Sequence, residues 1–93
     1  MEWSDPIKNQ DGSASQQSGK FTVMWLPNKE KATGNAAAFH GHQQIAVCYS
    51  IPLDQRELQR AAIRCMRALC GQYQLAGVGE KPTAEPRGGG SAR

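Results

Sequence analysis

The segment from Leu53 to Gly71 constrains this chain more than any other. Pro52 precedes it, and the run QRELQRAAIRCMRALC contains neither glycine nor proline. Asp54 and Glu57 stand at the D-x-x-E spacing of a capping box, Leu53 and Leu58 at that of a hydrophobic staple. Gly71 supplies a C-terminal stop. The spacing predicts a helix of about 16 residues, or about 24 Å. At about 100° per residue, Leu58, Ala61, Cys65 and Leu69 share one side, with Ala62 and Met66 beside them. That side is expected to face a core. Arg56, Arg60, Arg64 and Arg67 fall within a sector of about 80° and are expected to point into solvent. Ile63 falls among the arginines and is expected to be exposed with them.

An amphipathic helix needs a surface to lie on, and two stretches alternate with the period of a strand. In KFTVMWL, Phe21, Val23 and Trp25 share a face. In QQIAVCYSI, Ile45, Val47, Tyr49 and Ile51 share a face opposite Gln44, Ala46, Cys48 and Ser50. Pro27 ends the first strand or places it at an edge. Thr33-Gly34-Asn35-Ala36 reads as a turn, because Gly and Asn tolerate positive φ. A hairpin of residues 20–32 and 37–51 then sets Val23 opposite Val47, Phe21 opposite Tyr49 and Trp25 opposite Ile45. The alternative is a short helix from Asn35 to His40, capped by Asn35. QYQLAGV, after Gly71, reads as a closing strand or a packed extended segment. The expected fold is α+β: a small antiparallel hairpin or three-stranded sheet packed against one amphipathic helix.

The flanks are polar. Residues 1–18 read as a linker-like N-terminal segment and residues 79–93, GEKPTAEPRGGGSAR, as a disordered tail, since neither composition buries enough surface to offset ordering entropy. The domain is expected at residues 19–78. A unit of about 60 residues is marginally stable alone, so a homodimer or a partner is a natural source of further burial. Trp3 interrupts the polar start. It is expected either to dock back on the sheet or to insert into a partner.

The formal net charge is +3. A net of that size favours anionic partners without singling out nucleic acid. The arginine stripe is the more specific signal. Glu57–Arg60 is its one favourable i,i+3 pair, and Arg56–Arg60 and Arg60–Arg64 are like-charge i,i+4 pairs. Each guanidinium presents a planar fork suited to carboxylates and phosphates. No aromatic residue interleaves with the arginines to stack bases, and no helix-turn-helix pair, zinc finger or RNP-type strand is present.

Chemistry finds little support. His40 and His42, with Cys48, are the only metal-like grouping, and a fourth ligand is missing. Cys48 with either histidine is the only nucleophile–base pair, without a third group to orient it. A core this small is expected to leave little room for a pocket of several hundred Å³. No catalytic residue, metal or cofactor is therefore expected. The absence of an apolar run near Met1 and of any membrane-length stretch points to a cytoplasmic chain with Cys48, Cys65 and Cys70 reduced and buried. The functional expectation is a non-catalytic protein-binding module, an inhibitor or adaptor of the size found among phage and mobile-element accessory proteins. It would engage an acidic partner surface through Arg56, Arg60, Arg64 and Arg67, with Trp25 and Trp3 as apolar contacts. Nucleic-acid binding through phosphates is the alternative.

Overall fold

A computed structural model describes residues 1–76 of the 93-residue chain. The tail expected at 79–93 lies outside the described residues. The fold is α+β. A five-stranded antiparallel sheet, β1 (Ile7–Lys8), β2 (Ala14–Ser18), β3 (Phe21–Asn28), β4 (Thr33–His40) and β5 (Gln43–Pro52), runs in sequence order. The helix α1 (Arg56–Leu75) packs on one of its faces.

Strand count and pairing differ from the sequence reading. Residues read as a linker supply β1 and β2. Ser15 pairs with Met24 and Gln17 with Thr22, so the Ser/Gln run satisfies its backbone against β3. Ser4 continues the edge: its amide donates to the Gln17 carbonyl at 2.9 Å, and its Oγ accepts the Gln17 amide at 3.0 Å. Asp11 closes the β1–β2 turn by accepting the Ser13 Oγ–H at 2.6 Å and the Ser13 amide at 2.9 Å. These two hydrogen bonds, side chain first, hold its carboxyl below the ordinary carboxylate range. A depressed carboxyl stabilises the fold above its unfolded pKa. The contribution disappears only as pH falls through the lower, folded value.

The expected turn at Thr33–Ala36 is not one. The chain turns over Lys29 to Ala32, with Ala32 at φ 55° and the Asn28 Oδ1 accepting the Lys31 amide at 3.3 Å. NAAAFH is neither turn nor helix but part of β4, between β3 and β5. Ala36 and Ala38 are fully buried beneath the helix, where their small side chains let it approach closely. Tertiary packing therefore overrides alanine's poor strand propensity. Val23 and Trp25 stand opposite Ala38 and Ala36 instead of Val47 and Ile45, and Phe21 stands opposite His40 instead of Tyr49. The two-residue turns Gly19-Lys20 and Gly41-His42 each begin with a glycine at positive φ, which suits a tight hairpin. Pro27 lies beyond the last β2 pair, Ala14–Trp25, where β3 has a neighbour on one side only.

In β5 the register shifts twice, between Gly34 and Ala36 and again between Ala38 and Phe39 of its partner. The single alternation read from the sequence is broken. Ala46, Cys48 and Ile51 pair on the helix side, while Val47 pairs with Ala37 and Tyr49 is 66% exposed. Irregularities of this kind also blunt an edge strand.

The helix is longer than expected and rotated. It begins at Arg56 with Gln55 at the cap and no side-chain cap bond, so the Asp54–Glu57 box is not formed. The Gln59 side chain instead donates from Nε2 back to the carbonyls of Leu53, at 2.9 Å, and Pro52, at 3.2 Å. Leu58 is 48% exposed, so the staple with Leu53 is not made either. The helix passes through Gly71 to Leu75, and the start of the expected closing strand is helical. Its buried residues are Ala62, Met66 and Cys70, with Ile63, Leu69 and Tyr73 packed against the core. Ala61 and Cys65 face solvent. A helix resting on alanines presents its small residues at closest approach, and the leucines that dominate a hydropathy count are displaced to its flanks.

Candidate functional site: a cation-lined groove beside the helix

One helix cannot cover five strands. Neighbouring strands lie about 4.8 Å apart, giving about 19 Å between the outer strand axes, while a helix with its side chains is about 10–12 Å across. α1 packs mainly on β4 and β5, less on β3, and makes no substantial contact with β1 or β2. Beside α1, over β1, β2 and the margin of β3, this leaves a groove with a volume of about 470 Å³. That corrects the expectation that the chain has little room for a pocket of this size. The space comes from the mismatch in width between the two layers, not from a hollow core.

The groove joins residues far apart in sequence. Val23, Trp25 and Ala14 come from the sheet, and Ile63 from the helix. Lys8 approaches from β1, and Arg60, Arg64 and Arg67 from α1. Among the described residues, no carboxylate lines the groove. Arg67 is half-buried and donates from Nη1 to Gln16 Oε1 at 2.8 Å, which ties the helix to β2. Arg60 and Arg64 are exposed at the rim. The arginines thus flank the helix on the β1–β2 side instead of standing straight out from the fold. Their aliphatic stems can lie over apolar floor while the guanidinium groups stay wet.

The structure brings Arg60, Arg64, Arg67 and Trp25 into this one site. Arg56 is exposed at the start of α1 and does not line it. Trp3 is half-buried and packs against the core, so it serves the docked role weighed for it. Lys8 went unrecognised, since nothing in a polar N-terminus announces that Lys8 will pair with Ala14. Ile63 carried a signal that was misread. A lone isoleucine among arginines marks where that helix face meets apolar surface.

The metal and nucleophile candidates separate. The His40 ring clusters with those of Phe21 and Tyr73, with centroids 4.8 and 5.4 Å away. His42 sits in the β4–β5 turn. Among the described residues, no three His, Cys, Asp or Glu side chains gather as a metal site. The three thiols are free: Cys70 buried, Cys48 half-buried and Cys65 exposed, so only one fits the buried expectation fully. Burial pushes the Cys70 thiol pKa up, which keeps it neutral. Among the described residues, no helix is long and apolar enough to cross a membrane.

No family model, curated protein or solved structure matches this chain.

Proposed function

We propose that this chain is a non-catalytic protein-binding module, of the inhibitor or adaptor kind, which captures an acidic segment of a partner in the groove between α1 and β1–β3. One observation carries the reading: among the described residues, four cationic side chains surround a partly apolar groove and no carboxylate lines it. Like charges held together raise the free energy of the empty site and favour an anionic occupant. The apolar floor favours an occupant that also buries side chains, which distinguishes an acidic, hydrophobic peptide from a bare phosphate backbone. The free thiols, with Cys65 exposed, suit a reducing cytoplasmic setting.

The test is a fluorescence-polarisation titration of the full chain with a synthetic peptide of glutamates interleaved with leucine and phenylalanine. Its glutamine counterpart and a single-stranded oligonucleotide serve as comparisons. Arg60→Glu with Arg64→Glu should weaken binding of the acidic peptide on the order of 100-fold. Both residues are exposed, so circular dichroism should be unchanged. Unaltered affinity in the double variant rejects the reading. Oligonucleotide binding that collapses between about 50 and 200 mM salt would assign the groove to phosphates instead.

The opposite face of the sheet supports self-association. By register and alternation it presents Ile7, Met24, Leu26, Phe39, Val47 and Tyr49, and its other positions are Ser, Thr, Asn, Gln and Ala. Trp25 belongs to the helix side. An uncharged face meets its own copy without like-charge repulsion. Five strands by about 18 Å cover roughly 400 Å² per copy before side-chain relief is counted. That puts a face-to-face pair below the usual size of stable interfaces, among weak and transient contacts. Sedimentation velocity should show a dimer at high micromolar concentration, and Leu26→Lys with Tyr49→Lys should return a folded monomer. A native chain that stays monomeric throughout rejects the contact.

A further inference from the structure

We infer that the groove's occupant is an amphipathic acidic helix, seated beside α1 as the second helix of the layer. This rests on the reading that the groove takes an acidic partner, and it specifies the partner's shape. Three observations converge on it.

The first is width. α1 packs most on β4, and β2, on which it does not pack, lies two strands or about 10 Å away. That matches the 8–10 Å at which two packed helices stand apart. The floor there is Ala14 and Gln16 of β2, Ile63 forms part of the wall on α1, and Val23 and Trp25 are already buried at the inner margin. Ala14 and Ile63, both half-buried, are the apolar surfaces left for a helix with an apolar stripe to cover.

The second is the edge. A partner could otherwise dock as an extended strand, using its main chain for affinity. At this end of the sheet that route is closed. Residues 4–8 already occupy the β2 edge, through Ser4 with Gln17 and through the Ile7–Ser15 and Lys8–Ala14 pairs. β1 itself is only two residues long. A ligand lying over the groove has to satisfy its own backbone, as a helix does.

The third is the spacing of charge. Arg60, Arg64 and Arg67 stand at i, i+4 and i+7 along α1 and rise about 10 Å from first to last. A neighbouring helix with carboxylates at i, i+4 and i+7 offers the same rise. Lys8 stands on the opposite wall to meet a further acid. An extended peptide advances about 3.3 Å per residue and would match this row only at intervals of two residues or fewer.

Three synthetic peptides of equal length test this against the full chain. The first is a helix-forming peptide with glutamates at i, i+4 and i+7 and a leucine stripe on the adjoining face. The second has the same composition with two central residues exchanged for proline. The third replaces the glutamates by glutamine. The helical acidic peptide should bind at least tenfold more tightly than the proline form and gain helical circular dichroism on binding. Arg64→Ala should weaken that binding several-fold without altering the protein's own spectrum. Equal binding of both acidic peptides, with the glutamine form inert, overturns the helical inference and leaves the acidic-partner reading standing. If neither acidic peptide binds better than the glutamine form, both fall.

Discussion

Met66→Ala should remove about 2–5 kcal/mol of stability, the range for truncating a buried methionine to alanine. Met66 is 3% exposed and lies between Ala62 and Cys70 on the helix face that rests on the sheet. Ala36 and Ala38 belong to the same core across the interface and cannot rearrange to fill a void. A domain of this size has roughly 4–11 kcal/mol of stability in total, so the loss is a large fraction of it. In a thermal melt followed at 222 nm, the midpoint should fall by roughly 10–30 °C. Met66→Leu, which conserves volume, should cost less than about 1.5 kcal/mol. The informative comparison is Leu58→Ala. Leu58 is 48% exposed, so its truncation should stay within about 0.5 kcal/mol of the native chain. Equal losses at Leu58 and Met66 would mean that the helix is rotated to the orientation its leucines suggest.

That comparison also marks where the sequence was readable. The helix was, because a proline-bounded run with the right period has few other ways to bury side chains. β3 was legible for the same kind of reason, and Phe21, Val23 and Trp25 do share a buried face. β4 was not. Three consecutive alanines carry no strand signal, and their value appears only when a helix is laid on them. β1 and β2 were not, since a Ser/Gln run that forms a strand beside β3 has the composition of a linker. The helix rotation was misjudged because leucine weighs most in an apolar count, whereas closest approach selects Ala62 and Cys70. The clustering of Arg60, Arg64 and Arg67 followed from periodicity alone. The groove they line did not, since it arises from the width of a sheet whose strand count was not foreseen.

Gly34→Ala should both destabilise the fold and disturb the groove. Gly34 sits in β4 on the same face as the Trp25 ring. A Cβ built there falls 2.5 Å from Trp25 Cζ2 and 2.6 Å from Cη2, with the Leu26 carbonyl oxygen at 3.2 Å. Atoms of this kind do not approach within 3 Å, so the indole has to move. Indole is rigid and Trp25 is 8% exposed, so the shift cannot be absorbed by a side-chain tip. Such overpacking costs about 1–3 kcal/mol. Ala36 and Ala38 with the helix above them close one side, and the groove is the open space along the ring, so the displacement runs toward the groove. The Trp25 indole N–H resonance should therefore shift, and affinity for an acidic hydrophobic peptide should fall, although no cationic residue has been touched. Trp25→Leu separates steric cause from general damage. Alone it leaves a void and destabilises. Combined with Gly34→Ala it should cost less than the sum of the two single changes, because the added methyl then meets space instead of a ring. Strict additivity would show that Gly34 is required for some reason other than the tryptophan above it.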